Sequence, residues 1–350
     1  MNKIIRVLII DDSAYVRKVI KQMLSRSPFI EVVGTAHDGE EALETLEKIG
    51  DKIDVITLDL LMPKLDGVEF LKIQMERHPI PAIVVSIASE GGELVLAALD
   101  AGAVDFVHKP TALATEKMYE LAEELIDKVK AAANVPLKRL PRPALGSFLP
   151  VAVPAKPIFN PATIDLIAIG ISTGGPQALA LLIPQLPSNL PVPIAIVLHM
   201  PIGYTKMYAE RLDQLSALKV VEAGDGEILQ PGMVFIAPAG RHLTFKRNRD
   251  SVVTQLAAQP FDMPHRPSVD VMFQSAAQVY GNRVLGIVMT GMGSDGKQGA
   301  AWIKSHGGLI FTESEETCVV YGMPRSVEES GLSDHSYGLN QMTQAILDVL

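Results

Sequence analysis

The chain of 350 residues has a single cysteine, Cys318. No internal disulfide framework can form, and a reducing compartment, the cytoplasm, is the expected setting. No apolar window reaches the length of a membrane span, so membrane insertion is not expected. The N-terminal Met1-Asn2-Lys3-Ile4-Ile5-Arg6 lacks the long apolar run of a secretory leader, and its short apolar stretch ends at Asp11-Asp12. Charge is scarce as well. Only 20% of residues are charged against 48% hydrophobic, which excludes a largely disordered chain. The formal net charge of −9 has the wrong sign for a protein whose main partner is nucleic acid. The length accommodates two domains, each with its own core.

One stretch lacks acidic residues altogether. From Asn134 to Ala162 the charged residues are Lys138, Arg139, Arg142 and Lys156, among seven prolines from Pro136 to Pro161. Proline removes backbone donors and stiffens an extended chain, so this reads as a semi-rigid basic linker. The expected division is a first domain over 1–130, a linker over 131–162 and a second domain over 163–350.

In the first half, short apolar runs alternate with helical patterns. Val7–Ile10, Glu31–Gly34, Val55–Leu58, Ala82–Val85 and Asp105–Val107 read as strands. Helical stretches around Ala14–Ser25, Gly39–Ile49 and Glu116–Ala132 alternate with them. This is the pattern of a parallel sheet covered on both faces. The second half restarts with Ile164–Ile169, then Ile194–Leu198 and Val284–Met289, continuous apolar runs of buried-strand type. Met233–Ala237 and His242–Phe245 look like shorter strands, candidates for a hairpin. A second α/β domain is expected.

Asp11 and Asp12 follow the first strand, Asp59 the third, Ser86 the fourth and Lys109 the fifth. In a parallel α/β sheet the C-terminal strand ends share one edge, where ligands bind. Three carboxylates there offer oxygen ligands to Mg²⁺, which leaves room for a phosphoryl group. Singly, Asp-Asp is more often a helix cap and Lys-Pro usually a turn. Together with Leu58-Asp59-Leu60-Leu61-Met62-Pro63 and Asp66-Gly67, the set resembles response-regulator receiver domains. The resemblance implies a flavodoxin-like (βα)5 fold, phosphorylation of Asp59, and Mg²⁺ held by Asp11, Asp12 and Asp59. It also implies Ser86 and Phe106 as switch residues and Lys109 as the phosphate-pairing lysine.

Gly170-Ile171-Ser172-Thr173-Gly174-Gly175 satisfies G-x-S-x-G, a serine on a tight strand-to-helix turn. The helix start offers N–H groups to an oxyanion. A phosphate-binding turn is the competing explanation, although neither common nucleotide-binding glycine pattern is present. A serine nucleophile needs a base. His199 ends the Ile194–Leu198 run; His242 and His265 compete with it, the latter in a proline-rich loop. Asp295, beyond Thr290-Gly291-Met292-Gly293-Ser294, is placed to orient a histidine or to cap a helix.

The segments Gly170–Pro176, His199-Met200-Pro201, Ile236–Gly240, His265–Asp270, Thr290–Gly296 and Tyr321–Pro324 closely resemble the chemotaxis protein-glutamate methylesterase family. That resemblance implies a doubly wound, mostly parallel hydrolase domain with Ser172 as nucleophile, His199 as general base and Asp295 as orienting acid. Thr173 and the Met292 backbone line the implied oxyanion region. It implies methyl-accepting chemotaxis receptors as substrates, a chemotaxis histidine kinase as phosphodonor, glutamine deamidation through the same acyl-enzyme, and a monomer. No cofactor is implied for the esterase reaction. One departure is Glu313-Ser314, where the family often carries Gln-Asp, which bears on substrate access. A receiver-controlled output domain that binds a partner without catalysis is the alternative. A DNA-binding output is disfavoured by the acidic balance and by the absence of a helix-turn-helix pattern after the linker.

Overall fold

The structure is a computed structural model that describes residues 3–86, 92–109, 115–136 and 164–350. The chain divides into two compact units, Met1–Ser147 and Phe148–Leu350. Most of the expected Pro-rich linker lies outside the described residues.

The first unit alternates β1 (Ile5–Ile10), α1 (Ala14–Leu24), β2 (Ile30–Ala36), α2 (Gly39–Ile49), β3 (Val55–Leu58), α3 (Gly67–Arg77), β4 (Ala82–Ser86), α4 (Gly92–Asp100), β5 (Asp105–His108) and α5 (Thr115–Ala133). Its sheet runs in the order β2-β1-β3-β4-β5, with every pairing parallel. This is the flavodoxin-like order. β3 and β4 are buried throughout, because helices cover both faces. Helix starts are set by side-chain caps. Ser13 accepts from the Val16 amide, Asp38 from Glu41, and Asp66 from both Val68 and Glu69. Ser13, not Asp12, is therefore the cap of α1, which frees the Asp11–Asp12 pair from that role.

The second unit contains β6 (Leu166–Ile171), α6 (Gly175–Leu182), β7 (Ile194–Leu198), α7 (Thr205–Leu215), β8 (Lys219–Glu222), β9 (Met233–Ile236), β10 (His242–Asn248) and β11 (Ser251–Ala257). It continues with α8 (Val269–Tyr280), β12 (Val284–Val288), α9 (Lys297–Ser305), β13 (Leu309–Glu313), α10 (Met323–Glu328), β14 (His335–Tyr337) and α11 (Leu339–Asp348). Seven strands form a sheet in the order β14-β13-β12-β6-β7-β9-β8, again with parallel pairings. The first strand of the unit, β6, thus lies inside the sheet, with chain leaving to one side and returning on the other. Such a reversal opens a crevice at the carboxyl ends of the strands.

The expected hairpin is repartnered. Met233–Ile236 is a parallel strand between β7 and β8, while β10 pairs antiparallel with β11 in a separate ribbon. The physical reason is burial: Val234, Phe235 and Ile236 are completely buried, as a strand covered on both faces requires. The ribbon packs on α8 through Leu243, Phe245 and Val252, which share a core with Met272 and Phe273. Among the described residues no helix is long and apolar enough to cross a membrane.

Candidate functional site

At the first unit's carboxyl edge, Asp11 and Asp59 are buried and Asp12 is exposed. Their carboxylates each offer an oxygen, and those atoms lie within 4.8 Å of one another. Lys109 Nζ sits 2.9 Å from Asp11 Oδ2 and 2.7 Å from Asp59 Oδ2. Burial alone would lower the Lys109 pKa, but the hydrogen bonds its ammonium donates to Asp59 and Asp11 outweigh it and raise the pKa. Burial pushes the Asp11 carboxyl up despite its contact with Lys109. An all-oxygen set with an excess of buried negative charge fits a hard dication such as Mg²⁺. Ser86 ends β4 and Phe106 lies within β5, both buried, and the Lys109 amide donates to the Ser86 carbonyl at 2.7 Å. The five strand-end residues expected at this edge are thus brought together by strand order.

In the second unit, register does the same for Ser172 and His199. β6 and β7 pair in parallel with Ile171 opposite Leu198, so each functional residue is the next one along. The His199 amide donates to the Ile171 carbonyl at 3.1 Å. Behind the serine, two glycines admit close approach. Gly174 holds φ of 78° at the start of α6, and a Cβ there would stand 2.5 Å from Val319. A Cβ on Gly291 would stand 2.8 Å from the Ser172 Cβ, so the loop after β12 lies directly on the serine turn. Thr290 ties the two: its carbonyl accepts from the Ser172 amide at 3.0 Å, and its hydroxyl donates to the Thr173 carbonyl at 2.9 Å.

His199 Nε2 lies 2.9 Å from Asp295 Oδ2, with the side chains only 10% and 7% exposed. An ionised carboxylate only accepts, so Nε2 carries the ring proton. Nδ1 is left with a lone pair, buried and without a hydrogen-bond partner. Asp295 is further held by the Val269 amide on Oδ2 at 2.8 Å. Its Oδ1 accepts from the Ser268 hydroxyl at 2.9 Å and the Asp270 amide at 3.0 Å. These are donors from the start of α8, where amides lack intrahelical partners. Burial would raise the Asp295 carboxyl, but His199 and these amides hold it down at about 2.

The competing histidines are separated by the structure. His242 is completely buried. Its Nδ1 accepts from the Ser268 amide at 3.2 Å, so Nε2 carries the proton and donates to the Pro260 carbonyl at 3.0 Å. Burial lowers its pKa. Both nitrogens are engaged in bracing the loop before α8, which leaves no lone pair for a proton transfer. His265 is exposed and stacks on His199, with ring centroids 4.1 Å apart and planes at 23°.

Sequence reasoning gave no role to Ser268, Asp270 or Thr290, and connected Glu313 only with substrate access. Asp270 Oδ1 accepts from the amides of Gly296 at 2.9 Å and Gly299 at 2.7 Å. Burial pushes its carboxyl up to about 6. Glu313, completely buried at the end of β13, accepts from the Thr290 amide at 2.9 Å and the Thr317 hydroxyl at 3.0 Å. A signal was present for Ser268 and Asp270: a hydroxyl followed two residues later by an acid, at the start of an apolar helical run, marks a helix N-terminus.

An acidic cluster that shares a lysine at one unit's strand edge and a serine turn beside a His–Asp pair in the other define the class: a response regulator whose output unit is built as a hydrolase. Residues 7–121 match the family model "Response regulator receiver domain" and residues 167–346 match "CheB methylesterase". The chain belongs to the CheB methylesterase family. It is 49% identical over 339 residues to a "Protein-glutamate methylesterase/protein-glutamine glutaminase 5" of Myxococcus xanthus, covering 97% of this chain and 96% of that one. It is 40% identical over 350 residues to a Thermotoga maritima protein named as a protein-glutamate methylesterase/protein-glutamine glutaminase, covering 100% and 99% of the two chains. Among solved structures, the catalytic domain of Thermotoga maritima CheB methylesterase aligns with a TM-score of 0.53 at 42% identity. That alignment covers 53% of this chain and 99% of that structure. These relatives carry enzyme names, which favours a catalytic output unit over a partner-binding one.

Proposed function

We propose that the chain is a phosphorylation-regulated protein-glutamate methylesterase and protein-glutamine deamidase that acts on methyl-accepting chemotaxis receptors in the cytoplasm. Domains over 1–130 and 163–350, joined by a linker over 131–162, fit this division of labour, and a monomer suffices for it. The observation that carries the reading is the His199 tautomer: Nε2 is committed to Asp295 and Nδ1 is free to take a proton.

Ser172 Oγ attacks the ester carbonyl carbon, and its proton passes to His199 Nδ1. The resulting oxyanion is met by backbone N–H groups around Thr173 and Met292, where a preorganised donor is worth most. The C–O bond breaks and methoxide takes the proton from His199, leaving as methanol. Water then attacks the acyl-serine and gives its proton to the same nitrogen; the acyl C–Oγ bond breaks, Ser172 Oγ takes that proton back from His199, and the free glutamate is released. With glutamine the first leaving group is ammonia. Asp295 keeps the ring oriented and stabilises its protonated form.

In the receiver, Asp59 accepts a phosphoryl group from a chemotaxis histidine kinase. Asp11 and Asp12, with Asp59, are the residues that would hold Mg²⁺, which when bound neutralises charge on the transferring phosphoryl. Lys109 pairs with the phosphoryl oxygens, and Ser86 and Phe106 respond to them.

The test is methanol release from methylated receptor. Ser172→Ala lowers turnover by about four to six orders of magnitude, as removal of a triad serine does elsewhere. Near-normal release from that variant would overturn the assignment.

A further inference from the structure

Two loops flank the His199 ring. One follows β7 through Pro201, Ile202 and Gly203; the other runs from Gln259 to Ser268 and carries Phe261 and His265. They meet through the segment before β10. The Gly240 amide donates to the Arg266 carbonyl at 2.9 Å, and a Cβ on Gly240 would stand 3.2 Å from Ile202 Cδ1. The second loop is braced from beneath by His242, which binds Pro260 at one end and Ser268 at the other. The Arg266 guanidinium lies over the Phe261 ring at 4.9 Å from its centroid, a cation–π contact that fixes the ring's place.

Ile202 is 71% exposed and Phe261 63%, the two highest values of any large apolar side chain among the described residues. Single exposed apolar residues scattered over a surface are ordinary. Here the two extremes lie on the two loops that carry the stacked pair: Ile202 follows His199 in the chain and Phe261 precedes His265, and both loops are braced. Exposed apolar groups concentrated in that way mark an interaction surface. The occupant is decided by continuity with the reacting centre. Ile202 follows His199 in the chain, and Phe261 shares a loop with His265, which stacks on His199, so a polypeptide that brings its ester to His199 is the occupant whose flanking residues would meet both loops.

We infer that Ile202 and Phe261 are an apolar landing rim for the segment of a protein substrate that bears the ester. The partner chemistry is a polypeptide with apolar side chains flanking the esterified residue. This rests on the ester-hydrolase reading and adds to it the feature that separates protein from small-molecule substrates. A rim already in place before binding costs little ordering, so its contribution appears as affinity for the protein substrate.

The experiment compares the full chain, the double variant Ile202→Ser/Phe261→Ser, and Leu215→Ser as an exposed apolar control on α7. Each is assayed on a methyl-esterified receptor fragment and on the γ-methyl ester of N-acetylglutamate amide. For the rim variant, kcat/KM on the receptor fragment is expected to fall at least about tenfold further than on the small ester, mainly through KM. The control leaves both unchanged. Equal losses on the two substrates, or none on the fragment, overturn the rim. So does a result in which the rim variant alters only the sedimentation of the chain, because the face would then belong to self-association. If the unaltered chain hydrolyses neither ester, the hydrolase reading itself fails; if it hydrolyses both and the rim variant matches it, only the rim fails.

Discussion

At the scale of single residues, the chemistry turns on which nitrogen of His199 holds the proton. Asp295 accepts from the His199 Nε2–H and from the Ser268 hydroxyl and the Val269 and Asp270 amides. Replacing it with Asn substitutes an amide that can donate to the ring. The tautomer then reverses and Nδ1 no longer offers a lone pair. Asp295→Asn is expected to cost about three to four orders of magnitude in kcat for methanol release, as a comparable change does in other triads. A kcat within tenfold of normal would count against this assignment. Because the folded carboxyl is held near 2, its stabilising effect is complete above the ordinary carboxylate value and is lost as pH falls from about 4 to 2. Ser172 and His199 were legible as candidates in sequence because each is the residue after a continuous apolar strand, and Asp295 because its loop follows another. The separation of His199 from His242 and His265 was not. It depends on where the Gln259–Ser268 loop lies and on which ring nitrogens are already occupied, and neither is written in local pattern.

At the scale of elements, α8 and α9 exchange carboxylates. Asp295, in the loop before α9, takes the free amides at the start of α8, and Asp270, in the first turn of α8, takes those of Gly296 and Gly299 at the start of α9. Each acid meets the positive end of the other's helix. Asp270 thereby acts as a positioning residue for Asp295. Asp270→Asn keeps an acceptor oxygen, whereas Asp270→Ala removes it and takes the side-chain acceptor from the buried Gly299 amide, Gly296 keeping Asp295 Oδ1, at a cost of about 1–3 kcal/mol. The alanine variant is expected to lose about ten- to a hundredfold in kcat and the asparagine variant to recover most of that. Urea unfolding across pH supplies the second readout. The folded Asp270 pKa of about 6 lies above its unfolded value, so the folded state binds the extra proton and gains stability as pH falls from about 6 to 4. Asp270→Asn should flatten that component, and an unaltered pH profile would rule out this burial. The same elements show where pattern reading stops. β6, β7 and β12 are continuous apolar runs and were legible. β9 was read as a hairpin partner of β10 because few residues separate them, whereas full burial of Val234–Ile236 selects a central parallel position.

At the scale of the whole molecule, two sheets of the same parallel type place their chemistry at carboxyl strand ends, and the open matter is how one edge governs the other. The receiver edge is poised electrostatically. Lys109 is shared between Asp11 and Asp59, and its amide is bonded to the Ser86 carbonyl, so a phosphoryl group that draws on Lys109 or the Ser86 hydroxyl acts on both strand ends. Phosphorylation adds about 1.5 to 2 negative charges and three strong acceptors. A tenfold change in the fraction of active molecules needs only about 1.4 kcal/mol of preference for one state, within reach of one or two charge-assisted hydrogen bonds. A small-molecule phosphodonor with Mg²⁺ is therefore expected to raise methanol release by the full chain. Asp59→Asn, which keeps the side-chain size but cannot form the acyl phosphate, should show the basal rate and no response. Chelating the metal should likewise abolish the response while sparing the basal rate, since the proposed esterase steps draw on Ser172, His199, Asp295 and backbone donors and not on a metal. A phosphodonor response that survives Asp59→Asn would remove Asp59 as the control point and leave the esterase assignment standing.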